Sequence, residues 1–135
     1  KVHVHPTTGA IALKQIIATG DGGKIISEKT ARSQMIGGAV GGIGMALTEE
    51  ALIDHTTGKY ITDTLGKYQV PRHRDVPFIE TYFPNKPDPI INPMGSKGVG
   101  EIALVGFAPA VANALFNATG KRVRSLPIKP EHLIG

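Results

Sequence analysis

The run Asn92-Pro-Met-Gly-Ser-Lys-Gly-Val-Gly-Glu101 holds the residues best suited to chemistry. Three spaced glycines, Gly95, Gly98 and Gly100, close a proline-rich stretch, and one carboxylate, Glu101, stands where a helix is expected to begin. Successive N–H groups in such a loop can form a nest that cradles an anion, and Lys97 would add charge. Glu101 sits beside whatever the loop holds and is followed by Ile102, Ala103, Leu104 and Val105. A carboxylate in apolar company suits general-base work; its alternative role is to answer the free N–H groups of a helix start.

The remaining candidates carry less. His3 and His5 project from one strand face as half of a metal site, but no third ligand lies nearby, so no metal ligand is assigned. Gly20-Asp-Gly-Gly-Lys24 fails the phosphate-loop spacing, because Ile25 follows the lysine. Gly42-Ile-Gly44 lacks both the third glycine and the preceding strand of a dinucleotide fingerprint. With no Cys, a disulfide, a thiolate zinc site, an iron–sulfur cluster and a cysteine nucleophile are excluded from this chain.

The elements that must position this segment are legible in outline. Val2–His5 and Ala10–Ala18 flank the turn Pro6-Thr-Thr-Gly9 and read as a hairpin. Ser27 to Thr30 supply capping residues for a helix over 30–50, laden with Gly37, Gly38, Gly41, Gly42 and Gly44. Each glycine costs a helix roughly 1 kcal/mol, so that face is expected to meet other backbone or a ligand. A second hairpin is expected over 51–61, a strand over 75–83, a second helix over 109–118 stopped by Gly120, and a last strand over 123–128. Between them, residues 84–100 form a long loop with Pro84, Pro87, Pro89 and Pro93, a kind that is usually functional. The fold class expected is α/β (α+β): two main helices packed on a small, mostly antiparallel sheet.

The whole chain, 135 residues, suits a single domain over 1–135. Hydrophobic residues make up 41% and charged residues 19%, a globular rather than disordered composition. The net charge of +4 comes from scattered Lys and Arg, densest at Lys121-Arg122-Val123-Arg124. No stacking aromatics interleave with that run, so it reads as solvated surface. The alternative is a basic, non-enzymatic module for nucleic acid or another polyanion. The apolar run Met35 to Leu47 falls short of the roughly 20 residues that span a bilayer, and no membrane span is expected. Lys1 opens directly into strand-like sequence, and the chain is expected to be a piece of a larger one.

Several of these motifs together carry a resemblance. Gly98-Val-Gly-Glu101, followed by an alanine-rich helix with Ala112-Asn-Ala114, resembles the C-terminal end of the molybdenum-binding subunit in the xanthine dehydrogenase/aldehyde oxidase family. Ser33-Gln-Met-Ile-Gly-Gly38, with Gly42-Ile-Gly44, Ala46-Leu47 and Glu49, is similar to that family's glycine-rich segment. Asp21-x-Gly23-Lys24-x-Ile26 and Arg122-Val-Arg124-x-Leu-Pro127 also match in order and spacing. The likeness is nearest to bacterial aldehyde oxidoreductase large subunits and covers essentially the whole chain.

The resemblance implies a molybdenum hydroxylase that oxidises aldehydes to carboxylic acids, with this chain as the C-terminal portion of its molybdopterin-binding domain. Glu101 would be the active-site base, activating a molybdenum-bound hydroxyl. Lys97, Gly98, Val99 and Gly100 would contact molybdopterin cytosine dinucleotide through their backbone. Lys24, Ile25, Ile26, Ser27, Glu28, Lys29 and Thr30, and Gln34 after them, would line the same cofactor. The implied partners are the remainder of the large subunit, iron–sulfur and FAD subunits or domains, and an aldehyde substrate, but no nucleic acid. The isolated chain is expected to be inactive. One geometric consequence follows: Gly98–Glu101 must lie near Ser27–Gln34.

Overall fold

A computed structural model describes residues 1–134. Strands β1 (Val2–Val4) and β2 (Ile11–Leu13) pair antiparallel, with Val2 opposite Leu13 and Val4 opposite Ile11. The turn between them is closed by His5, whose N–H donates to the Ala10 carbonyl at 2.9 Å. Its Nδ1 accepts from the N–H groups of Thr7 and Thr8 at 3.3 and 3.2 Å, so that ring nitrogen is spent on the turn.

The expected second arm of this hairpin is two strands. It breaks at Lys14 and Gln15, whose N–H groups both reach the Lys1 carbonyl, and β3 (Ile16–Thr19) leaves in another direction. There it pairs parallel with β6 (Ile79–Tyr82), Ile16 opposite Ile79 and Thr19 opposite Tyr82. The second hairpin, β4 (Ile53–Asp54) and β5 (Lys59–Tyr60), forms as expected. The result is an α+β fold with three two-stranded sheets in place of one; two are antiparallel, and the parallel pair lies against the core.

Helix α1 (Glu28–Ile43) starts where the capping residues place it: Ser27 is extended and its Oγ accepts from the Thr30 N–H at 3.4 Å. It ends in a π-helical turn, Gly44–Thr48, closed by a bond from the Glu49 N–H to the Gly44 carbonyl at 2.8 Å. Helices α2 (Ile102–Val105) and α3 (Phe107–Thr119) follow the long loop and are separated by Gly106. Gly120, left-handed at φ +74°, stops α3.

The bare face of α1 is covered by these helices. A Cβ at Gly38 would meet Ala103 and the Leu104 backbone at 3.3 Å, one at Gly41 would meet Leu104, and one at Gly42 would strike Phe107. Below that contact lies the core, with Ala39, Ile43, Leu115 and Ile128 almost wholly buried. Burying a side chain such as Leu115 stabilises the fold by about 1.5–3 kcal/mol. The expected last strand over 123–128 does not form, because Ile128 donates its N–H to the Ala46 carbonyl at 2.7 Å rather than to a strand.

The span from Ile102 to Thr119 is a second apolar stretch beside Met35–Leu47. Its 18 residues, with mean hydropathy 1.5, are long and apolar enough by composition to cross a membrane. Gly106 interrupts the span, and Phe107, Ala108, Val111 and Leu115 enter the core while most of its other residues lie outside it. Much apolar surface is left outside: Ile90 is 94% exposed, and Leu65 and Val105 are each 79% exposed.

Candidate functional site

The long loop is fastened to the loop after β3 by backbone. The Lys24 N–H donates to the Gly95 carbonyl at 2.8 Å, and the Lys97 N–H donates to the Gly22 carbonyl at 2.9 Å. Ser96 Oγ donates to the Lys24 carbonyl at 2.8 Å. Gly23 makes this approach possible: its φ is +62°, and a Cβ there would strike the carbonyl of Gly95. Within the loop, Asn92 Oδ1 accepts from the Gly95 and Ser96 N–H groups, and its amide donates to the Ser96 carbonyl at 2.7 Å.

This docking creates an open cleft of about 260 Å³ between the start of α1 and the glycine segment. One side is formed by Lys24, Ile25, Ile26, Ser27, Thr30 and Gln34. Lys97, Val99 and Gly100 form the other. Gly98 stands beside them with open space where a Cβ would project. Thus most of the residues singled out from sequence, separated by some seventy positions, share one cleft. Two do not. Glu28 lines a neighbouring cleft with Arg32, Tyr82 and Phe83, and Lys29 is exposed and lines neither.

Glu101 follows directly on this wall. It is exposed, and its backbone lies against Gly38, one helical turn beyond Gln34 on α1. Gln34 and Glu101 therefore sit on one side of the molecule, at the junction of α1 and α2. The apolar neighbours expected around Glu101 are partly solvent-facing here, since Ile102 and Val105 are exposed.

Lys97 departs from its expected role. Its Nζ lies 2.7 Å from Asp21 Oδ2 and 3.1 Å from Asp88 Oδ2. The two carboxylates hold its pKa above the ordinary 10.5, Asp21 contributing most. In turn, the ammonium and the Gly23 N–H hold Asp21 below 3.8, and the ammonium and the Ile90 N–H do the same for Asp88. With its charge shared by two carboxylates inside the chain, Lys97 is not a free cation beside the glycine segment. Lys24, which forms no ion pair among the described residues, is a second cation on the cleft wall. Sequence reading missed Asp21 and Asp88 as partners of Lys97: Asp21 is 76 positions away, and Asp88 is on the same irregular loop, where no regular spacing pairs side chains.

The cleft suits a group rich in acceptor oxygens. Among the described residues, the N–H groups of Gly98, Val99 and Gly100 find no acceptor in the chain; at the start of α1, Ser27 answers the N–H groups of Thr30 and Ala31 and leaves those of Glu28 and Lys29. Such donors at a glycine loop and a helix start favour phosphate. The volume is small beside the roughly 300–1,000 Å³ of an ordinary ligand pocket, so these residues form one wall of any larger site. The basic run elsewhere is tied to α3: Arg122 stacks 4.0 Å from the Phe116 ring centre and donates to Asn113 Oδ1 at 2.7 Å.

Comparison with known proteins agrees with these features. Residues 1–77 match the family model described as a molybdopterin cofactor-binding domain. The aldehyde oxidoreductase molybdenum-binding subunit PaoC of Escherichia coli is 43% identical over 134 residues, covering 99% of this chain and 18% of that protein. A putative xanthine dehydrogenase molybdenum-binding subunit of the same organism, XdhA, is 33% identical over 123 residues, 91% of this chain and 16% of that one. The crystal structure of quinoline 2-oxidoreductase from Pseudomonas putida superposes with a TM-score of 0.88 at 31% identity, covering 97% of this chain and 17% of that one. This chain therefore spans less than a fifth of the length of each of these proteins. By the matched residues, the chain belongs to the molybdopterin cofactor-binding domain family.

Proposed function

We propose that this chain supplies one wall of the cofactor site in a molybdenum-dependent enzyme that oxidises aldehydes to carboxylic acids, as the C-terminal portion of a molybdopterin-binding domain. The observation that carries the reading is the shared cleft, where the first turns of α1 face Lys97, Val99 and Gly100. The similarity to an aldehyde oxidoreductase subunit over nearly the whole chain supports the substrate class. The unanswered N–H groups of Gly98, Val99 and Gly100 bind phosphate oxygens of the cofactor, taken as molybdopterin cytosine dinucleotide. Ser27, Thr30 and Gln34 present hydroxyl and amide groups from the opposite side, and Lys24 adds positive charge.

When bound, the cofactor supplies the oxygen placed on the substrate and takes up its electron pair. The overall conversion, aldehyde plus water to carboxylic acid with two protons and two electrons released, needs a proton acceptor. Glu101 is that acceptor: its carboxylate follows the glycine segment and takes a proton at a side-chain oxygen. The electrons pass to iron–sulfur and FAD centres on partner subunits or domains, because this chain has no Cys to hold a cluster. The remainder of the large subunit supplies the other walls, and the chain alone is not a catalyst.

The test is Glu101→Gln in the full subunit assembled with its partners. Loss of turnover with molybdenum retained is the expected result; near-wild-type turnover would remove Glu101 from the chemistry. A second measurement concerns the chain alone, which should neither retain the cofactor tightly nor oxidise benzaldehyde.

A further inference from the structure

We propose that Lys97 is a positioning residue, whose ammonium, shared between Asp21 and Asp88, fixes where the following Gly98–Glu101 segment presents its backbone and its carboxylate. The inference deepens the reading of the cleft and rests on it. Three separate parts of the chain meet at this one nitrogen: the loop after β3 through Asp21, the middle of the long loop through Asp88, and the glycine segment through Lys97 itself.

Backbone alone leaves the glycine segment poorly restrained. Upstream of Lys97 the loop is held by the bonds of Gly95, Ser96 and Lys97 to Gly22 and Lys24. Downstream, the next bond is from the Ile102 N–H to the Val99 carbonyl at 3.1 Å. Among the described residues, Gly98, Val99 and Gly100 in between donate to no acceptor, and Gly98 and Gly100 have no neighbour where a Cβ would stand. A segment with free donors and two glycines samples many conformations unless its ends are fixed. Lys97 is the last residue before that segment with a side-chain anchor, and it has two.

The same geometry argues against the simpler role. Two of the three N–H donors of the ammonium are taken by carboxylates at 2.7 and 3.1 Å, so a phosphate would meet only the third, on a charge already shared by two acids. Asp88 is itself oriented, its Oδ1 accepting from the Ile90 N–H at 3.1 Å, as Asp21 Oδ1 accepts from the Gly23 N–H at 2.9 Å. Both acids are thus set by their own loops to receive the ammonium, with Lys24 as a second cation at the cleft.

The experiment compares Lys97→Met, Lys97→Arg and the double variant Asp21→Asn/Asp88→Asn in the full subunit. Hydrogen exchange is followed in peptides covering 20–26 and 93–101, with molybdenum content and turnover measured alongside. Each exposed ion pair is worth up to about a fivefold change in an opening equilibrium. Lys97→Met and the double Asp variant each remove both pairs, so each should speed exchange at the Lys24 and Lys97 amides by up to about 25-fold, and both should lower molybdenum content. Lys97→Arg should restore both readouts.

Loss of molybdenum in Lys97→Met with full retention in the double Asp variant would assign Lys97 to the anion directly and overturn the proposal. Unchanged exchange in both variants would overturn it as well. Failure of the cofactor reading looks different. A wild-type subunit that carries no molybdenum, yet shows the exchange change, would keep the fastening and remove the cofactor from it.

Discussion

Gly42 lies directly under the side chain of Phe107, so close that a Cβ on Gly42 would occupy the space of the Phe107 Cβ and ring. This contact sets α3 onto α1 and, through Gly106 and α2, fixes where Glu101 leaves the long loop. Phe107 is buried, and its Cβ moves only with its helix. Gly42→Ala should gain a little helix propensity and lose more to overpacking, a net destabilisation of about 1–3 kcal/mol. A fall in the thermal midpoint checks this; Gly37→Ala, where a Cβ meets nothing within 4 Å, should instead raise it.

Replacing Glu101 by Gln keeps size and hydrogen bonding but removes the proton acceptor. A general base contributes typically 10²–10⁴-fold, so kcat should fall by about that factor while KM changes little. Glu101 is exposed and makes no side-chain cap bond, which leaves no stability effect to confuse the comparison. Steady-state kinetics with molybdenum-normalised enzyme separates the two constants. A rise in KM at unchanged kcat would place Glu101 in substrate binding.

The fastening at Lys97 has a defined pH window. Asp21 and Asp88 are held below 3.8 in the folded chain, chiefly by the Lys97 ammonium. Their contribution is complete above pH 3.8 and is lost as pH falls through their lower folded values. Lys97 is held above 10.5, so its contribution is complete below that pH and is lost as pH rises through its higher folded value. Between these limits the loop should stay docked. Carboxyl-carbon NMR with labelled aspartate should give midpoints below 3.8 that move upward in Lys97→Met.

Features written in neighbouring residues were legible in the sequence. The cap at Ser27, the stop at Gly120, the turn at Gly58 and the hairpin of β4 with β5 all stand where short-range chemistry puts them. The glycines of α1 announced a close approach, although not that α2 and α3 would make most of it. Pairings between distant segments were not legible. The run over 10–18 looks like one strand, and only its parallel partner some sixty residues later reveals that Ile16–Thr19 is separate. The sequence around Lys97 shows only a charge beside the glycines, because Asp21, 76 positions earlier, leaves no trace near it. The shared cleft was expected from the resemblance alone, since nothing in local propensity brings Ser27–Gln34 to Gly98–Glu101.

Gly98 offers the sharpest separation of stability from function. A Cβ built on it meets nothing within 4 Å, and its φ lies outside the left-handed region, so alanine fits the chain without strain. Gly98→Ala should therefore leave stability unchanged or raise it by about 0.4–1 kcal/mol, because the unfolded chain loses freedom. Gly100, at φ +33°, serves as the contrast: alanine there is strained and should destabilise. If the space over Gly98 is where the cofactor lies, the new methyl group enters it and pushes phosphate oxygens off the Gly98 and Val99 N–H groups. The expected outcome for Gly98→Ala in the full subunit is an unaltered or raised thermal midpoint without cofactor, with molybdenum content reduced several-fold. Wild-type molybdenum content in that variant would mean that the cofactor does not approach this backbone, and that the unanswered N–H groups serve another ligand.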